Sequence, residues 1–136
     1  MHTLGIRSIV SKRFPHRKST MTNDEKSLIV NLIKDLKVTR INQVWTTDVT
    51  YIHTINEGTF YLISYIDYFS KKVVAWGLFE DQKTDKLLLI LKKAVKKRKP
   101  IPGLIVHSDK GSQMRSKLYR EYLTSNNFVF IYTELD

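Results

Sequence analysis

Between Gln43 and Phe79, apolar and β-branched residues come in short runs broken by turn residues. Val44, Trp45, Val49, Tyr51 and Ile52 favour a strand, Asn56-Glu57-Gly58 a turn, and residues 60–66 a second strand, so the two pair as a hairpin. Asp67-Tyr68-Phe69-Ser70 makes the next turn, and Val73, Val74, Ala75, Trp76, Leu78 and Phe79 a third strand that completes an antiparallel meander. The period then becomes helical over 85–99, where Leu87, Leu88, Leu91, Ala94 and Val95 share one face. An acid opens that helix, cations close it, and Pro100 and Pro102 stop it. Leu104-Ile105-Val106 reads as a short strand buried on both faces, which a helical crossover sets parallel to its neighbour. Residues 116–123 predict a second helix and 128–132 a fifth strand. The order β-β-β-α-β-α-β makes this an α/β domain with a mixed sheet.

Upstream, residues 1–41 hold nine Lys/Arg against three acids, with Pro15, Ser11, Ser19 and Thr20 marking an irregular basic arm or linker. Within it Thr22 and Glu25 have capping-box spacing, and Leu28, Ile29, Leu32, Ile33 and Leu36 line one side of a short amphipathic helix. Residues 42–136 then form the folded domain. A length of 136 residues, 42% hydrophobic and 26% charged, supports one core. With 23 Lys+Arg against 13 Asp+Glu the formal charge is +10, which suits a polyanion such as nucleic acid. Without cysteine, thiolate zinc sites, disulfides and cysteine nucleophiles are excluded, leaving carboxylates, hydroxyls and His for chemistry. The longest apolar run, 87–91, is far too short to span a membrane, and the N-terminus has no signal-peptide core, so a cytoplasmic location is expected.

Asp48 interrupts the first strand in a segment apolar or β-branched on both faces. A buried, unpaired carboxylate there would cost several kcal/mol, so it needs a partner, and a divalent cation is one. Asp109 follows the apolar strand at its carboxyl end, where α/β sheets place ligands. If the two strands are neighbours, the carboxylates converge and can hold Mg²⁺ or Mn²⁺, hard cations suited to phosphodiester chemistry. Plainer readings stand beside these: Asp48 as an edge-strand or locally hydrogen-bonded residue, and Ser108-Asp109-Lys110-Gly111 as a turn. Asp67, before a turn, reads as structural, and His107 as either a solvated strand end or an orienting group. Lys92, Lys93, Lys96, Lys97, Arg98 and Lys99, with Lys110, are candidates for DNA contact, or else a dipole-matched helix end. Trp45, Tyr51, Trp76 and Phe79 are expected in the core.

Three ordered blocks carry a resemblance. They are Asn42-Gln43-Val44-Trp45-Thr46-Thr47-Asp48-Val49-Thr50-Tyr51-Ile52, Tyr65-Ile66-Asp67-Tyr68-Phe69-Ser70-Lys71-Lys72-Val73-Val74-Ala75-Trp76, and His107-Ser108-Asp109-Lys110-Gly111-Ser112-Gln113. Together they resemble the integrase-type catalytic core of bacterial insertion-sequence transposases. The resemblance implies a ribonuclease-H-like fold and an Asp, Asp, Glu triad that binds two Mg²⁺ to cleave and transfer DNA strands at element ends. It implies Asp48 as the first acid and Asp109 as the second, with Asp67 a recurring residue outside the triad. Met114 stands where the family more often has Tyr. The implied Glu, on a helix after the fifth strand, falls beyond Asp136, and Glu134 comes too early to replace it. A core lacking its final helical part, and the upstream helix-turn-helix, is therefore expected to be inactive alone, with DNA, itself or an intact transposase as partners. Two other functions compete: a ribonuclease-H-like nuclease cutting RNA in a hybrid, and a basic nucleic-acid-binding remnant without chemistry.

Overall fold

The computed structural model describes residues 35–108 and 114–132. Strands β1 (Val44–Thr54), β2 (Gly58–Asp67) and β3 (Val73–Phe79) lead into helix α1 (Thr84–Arg98). Strand β4 (Ile105–Ser108), helix α2 (Lys117–Ser125) and strand β5 (Val129–Tyr132) follow. The five strands form one sheet in the order β3-β2-β1-β4-β5. The first three pair antiparallel, whereas β4 runs parallel to β1 and β5 parallel to β4. This is the mixed sheet and element order that the hydrophobic pattern predicts. Residues 1–34, with the amphipathic stripe of the arm, lie outside the described residues.

Local chemistry sets the boundaries. The β1–β2 hairpin closes at Thr54, whose hydroxyl donates to the Gly58 carbonyl (2.9 Å) and accepts from the Glu57 N–H (3.1 Å). Gly58 itself has φ +89°, the left-handed region that glycine enters without a Cβ penalty. Helix α1 ends one residue earlier than Lys99. That residue turns left-handed (φ 47°) and its N–H donates to the Val95 carbonyl at 2.8 Å, so the stop precedes Pro100. Ser116 caps α2, accepting from the Tyr119 N–H at 3.3 Å.

Both helices pack on one face of the sheet. By register, Trp45, Thr47 and Val49 of β1 lie beside Asp67, Tyr65 and Ile63 of β2, and Ala75 and Gly77 of β3 continue that face. Trp45, Ile63, Tyr65, Leu87, Leu91, Ala94, Val106, Tyr119 and Leu123 make the buried core there. α1 comes so close that a Cβ on Gly77 would stand 2.7 Å from Ile90 Cδ1. Inside this layer the Tyr65 hydroxyl donates to the Leu87 carbonyl (3.2 Å) and meets the Tyr119 hydroxyl (2.8 Å), tying β2 to both helices. Burial pushes both phenols above their ordinary titration range.

The opposite face is uncovered among the described residues, which corrects three expectations. Trp76 is 59% exposed, because alternation along β3 sends Ala75 and Gly77 to the helices and Trp76 outward. Tyr51 is on the helix side but past the reach of α1; it is exposed, and its hydroxyl donates to Gln82 (3.2 Å). β4 is buried on one face, with Ile105 and His107 half-buried on the other. No helix among the described residues is long and apolar enough to cross a membrane.

Asp67 closes the corner between β2 and the start of β1. Its carboxylate is buried and accepts from the Asn42 N–H (2.6 Å) and the Ser70 N–H (2.9 Å). Asn42, at φ 56°, also takes the Trp45 indole N–H at 3.2 Å, so one acid and one amide fix the entry to the sheet. Burial pushes the Asp67 carboxyl up, but the donated N–H bonds of Ser70 and Asn42 outweigh it and hold the group below the usual carboxylate range. The folded chain then binds fewer protons here than the unfolded chain, so this stability is present above the usual carboxylate range and is lost as pH falls through the lower folded value. Asp67→Asn, which leaves one N–H without its acceptor, is expected to cost about 2 kcal/mol at neutral pH. Urea denaturation of both proteins at neutral and acid pH measures this, and the gap between them should narrow in acid.

Candidate functional site

The parallel pairing of β1 with β4 organises the site. Val44, Trp45, Thr46 and Thr47 stand opposite Ile105, Val106, His107 and Ser108, so the two strands that carry the candidate acids are neighbours. Thr47 and Ser108, the last pair in register, are both buried on the helix side. Asp48 is the next residue of β1 and turns to the uncovered face. There it lies in one row with Ser64 of β2 and Trp76 of β3.

Asp48 is exposed, not buried as the sequence pattern implies. The residues around it are strand formers, but its side chain points to the face that α1 and α2 leave open. The desolvation argument for a bound cation therefore lapses. What remains is an accessible carboxylate whose Oδ2 accepts a hydrogen bond from the Thr50 hydroxyl at 3.2 Å. That bond steadies the group while leaving Oδ1 open, and a hard, oxygen-preferring cation fits such a donor. Asp109 and Lys110 lie outside the described residues. Among those described, no three His, Asp or Glu residues gather as a ready metal cage. His107, half-buried opposite Thr46, shares the face of Asp48.

The candidate cations are on the other side. α1 packs against the helix face, so Lys92, Lys96, Lys97 and Arg98 are separated from Asp48 by the sheet. Lys97 donates to the Val74 carbonyl (3.3 Å), Lys92 Nζ stands 5.4 Å from the Tyr122 ring, and Arg98 is half-buried. Lys93, Lys96 and Lys99 are exposed. A second basic surface escapes the sequence reading: Arg115, Lys117 and Arg120 line a shallow hollow on α2 with Glu121, Thr124 and Ser125. Its signal in the sequence is the spacing of Lys117 and Arg120, one turn apart on an exposed helix face.

Comparison with known proteins agrees with this arrangement. A family model described as integrase core domain matches residues 38–134. The transposase for insertion sequence element IS904 of Lactococcus lactis subsp. lactis (strain IL1403) is 38% identical over 125 residues, covering 90% of this chain and 48% of that protein. Transposase InsF for insertion sequence IS3A of Escherichia coli (strain K12) is 31% identical over 126 residues, covering 90% and 42%. The chain thus spans about half the length of these curated relatives. In fold it is similar to the HTLV-2 integrase catalytic core domain in complex with magnesium, with a TM-score of 0.59 at 20% identity, over 68% of this chain and 61% of that one.

The two aspartates of the meander make a direct contrast. Asp48→Asn is expected to change folding stability by no more than about 0.5 kcal/mol, as for an exposed residue outside any buried network. Urea denaturation beside Asp67→Asn checks it; a cost at Asp48 matching that at Asp67 would make Asp48 a structural residue.

Proposed function

Because the chain belongs to the integrase core domain family, we propose that it is the catalytic core of an insertion-sequence transposase, acting in metal-dependent cleavage and transfer of DNA strands. Residues 42–136 form the core unit, residues 1–41 a basic arm, and the cytoplasm is the compartment. The single observation that supports this reading most is the β1–β4 register. Thr47 pairs with Ser108, so the residues that follow each in the chain, Asp48 and Asp109, leave adjacent strand ends.

In this reading Asp48 and Asp109 are the metal-ligating acids, and Thr50 orients the Asp48 carboxylate. Bound Mg²⁺ or Mn²⁺ supplies Lewis acidity to the phosphodiester and lowers the pKa of an attacking water or hydroxyl. The protein's part is to present carboxylate oxygens from two neighbouring strands of a hydrogen-bonded sheet. A third oxygen ligand does not join Asp48 among the described residues. The substrate is DNA at insertion-sequence ends, and a second copy or an intact transposase is the protein partner. Lys92, Lys96, Lys97, Arg98, Lys99 and Lys110 bind phosphates. Those on α1 face away from Asp48, so they hold a stretch of DNA other than the one being cut. That separation also favours a second reading, a basic fragment that binds DNA without chemistry.

Calorimetric titration of the folded chain with Mn²⁺ distinguishes the two. Binding that is lost in Asp48→Ala and in Asp109→Ala supports the catalytic core; no binding, or binding that survives both changes, overturns it. For DNA, Lys93→Ala with Lys96→Ala should lower the slope of log affinity against log salt by about 1 for each phosphate no longer neutralised, while Asp48→Ala leaves the slope unchanged. Filter binding over a salt series measures this.

A further inference from the structure

The uncovered sheet face is apolar away from Asp48. Trp76 is 59% exposed, Leu78 48% and Ile52 38%, and Phe60, Leu62 and Ile66 are half-buried around them. Sheets containing parallel pairs such as β1–β4–β5 are ordinarily covered on both faces, yet both described helices lie on the other side. A matching surface occurs in the chain itself, at residues 22–34, where Leu28, Ile29, Leu32 and Ile33 fall on one helical side behind the capping pair Thr22 and Glu25. A helix this short is marginal in water unless its apolar side is packed.

The dimensions agree. Thirteen helical residues extend about 20 Å, close to the roughly 19 Å from the first to the fifth strand of such a sheet. Residues 35–43 connect the segment to β1, and such a length reaches roughly 25 Å even when not fully extended, enough to cross to β3. We propose that residues 22–34 dock on the uncovered sheet face as an amphipathic helix, seating Leu28, Ile29, Leu32 and Ile33 over Trp76 and Leu78. A segment there borders Asp48, which is two strands, or about 10 Å, from Trp76, and it limits what approaches that carboxylate. The inference is independent of the chemistry at Asp48.

Acrylamide quenching of tryptophan fluorescence in the full 136-residue chain tests it. Trp45 is fully buried, so the contribution of Trp76 is the difference between the chain and its Trp76→Phe variant. Trp76 is expected to be shielded at every protein concentration, and Ile29→Lys with Leu32→Lys to raise its quenching constant several-fold while Trp45 stays protected. Trp76 quenched as readily in the unaltered chain as in the double variant overturns the proposal, and that value needs no variant to be informative. Shielding that disappears on dilution assigns the face to a second copy, and shielding that survives the double substitution assigns it to another part of the chain; either overturns it.

Discussion

The parallel pairing of β1 with β4 is the constraint on which the rest of the structure depends. β1 is the middle strand of five, hydrogen-bonded to the meander on one side and to the α/β half on the other. Its register with β4 sets which β1 residues face the helices and which face away. A slip of one residue would turn Trp45 out of the core and Asp48 into it. The long connection through α1 is what permits a parallel neighbour at all, since a tight turn yields only antiparallel pairing. The apolar side of α1, with Leu87, Leu91 and Ala94, holds that connection on the sheet.

Two aspartates on adjacent strands meet opposite environments, and the difference sorts structure from function. Asp67 is buried, and two backbone N–H groups fill its oxygens. Nothing further can bind it without breaking the corner that positions Asn42 and Trp45. Asp48 faces solvent with a single hydroxyl bonded to it, which leaves it free to take a ligand. Beneath Asp48, on the far side of the sheet, the Tyr65–Tyr119 hydroxyl pair joins β2 and α2 next to Thr47. A rigid, satisfied layer under an open carboxylate is a sound platform for a site that must not move when loaded.

Much of this was legible from residue order. The hairpin at Asn56-Glu57-Gly58, the helical period of Leu87, Leu88 and Leu91, and the apolar β4 each carry a local signal that tertiary packing does not override. Asp67 before its turn was legible too, because Asx chemistry at turns is local. The misses are of another kind. Trp76 and Asp48 both depend on which face of the sheet is covered, and alternation distinguishes two faces without saying which one receives the helices. The end of α1 was placed by its prolines, whereas the stop is a left-handed Lys99, a conformation that lysine's identity does not advertise. The lysines of α1 read as one basic run, but helix phase and packing commit Lys97 to β3 and Lys92 to Tyr122.

The most direct test of the central claim, that one register brings the two acids to one point, is where a paramagnetic cation settles. Amide NMR spectra recorded with substoichiometric Mn²⁺ measure it residue by residue. Broadening centred on Thr47, Asp48, Ser64 and Ser108, and abolished by Asp48→Ala, is the predicted result. Broadening centred on α2 or on the β1–β2 hairpin, or spread evenly over the surface, would contradict it.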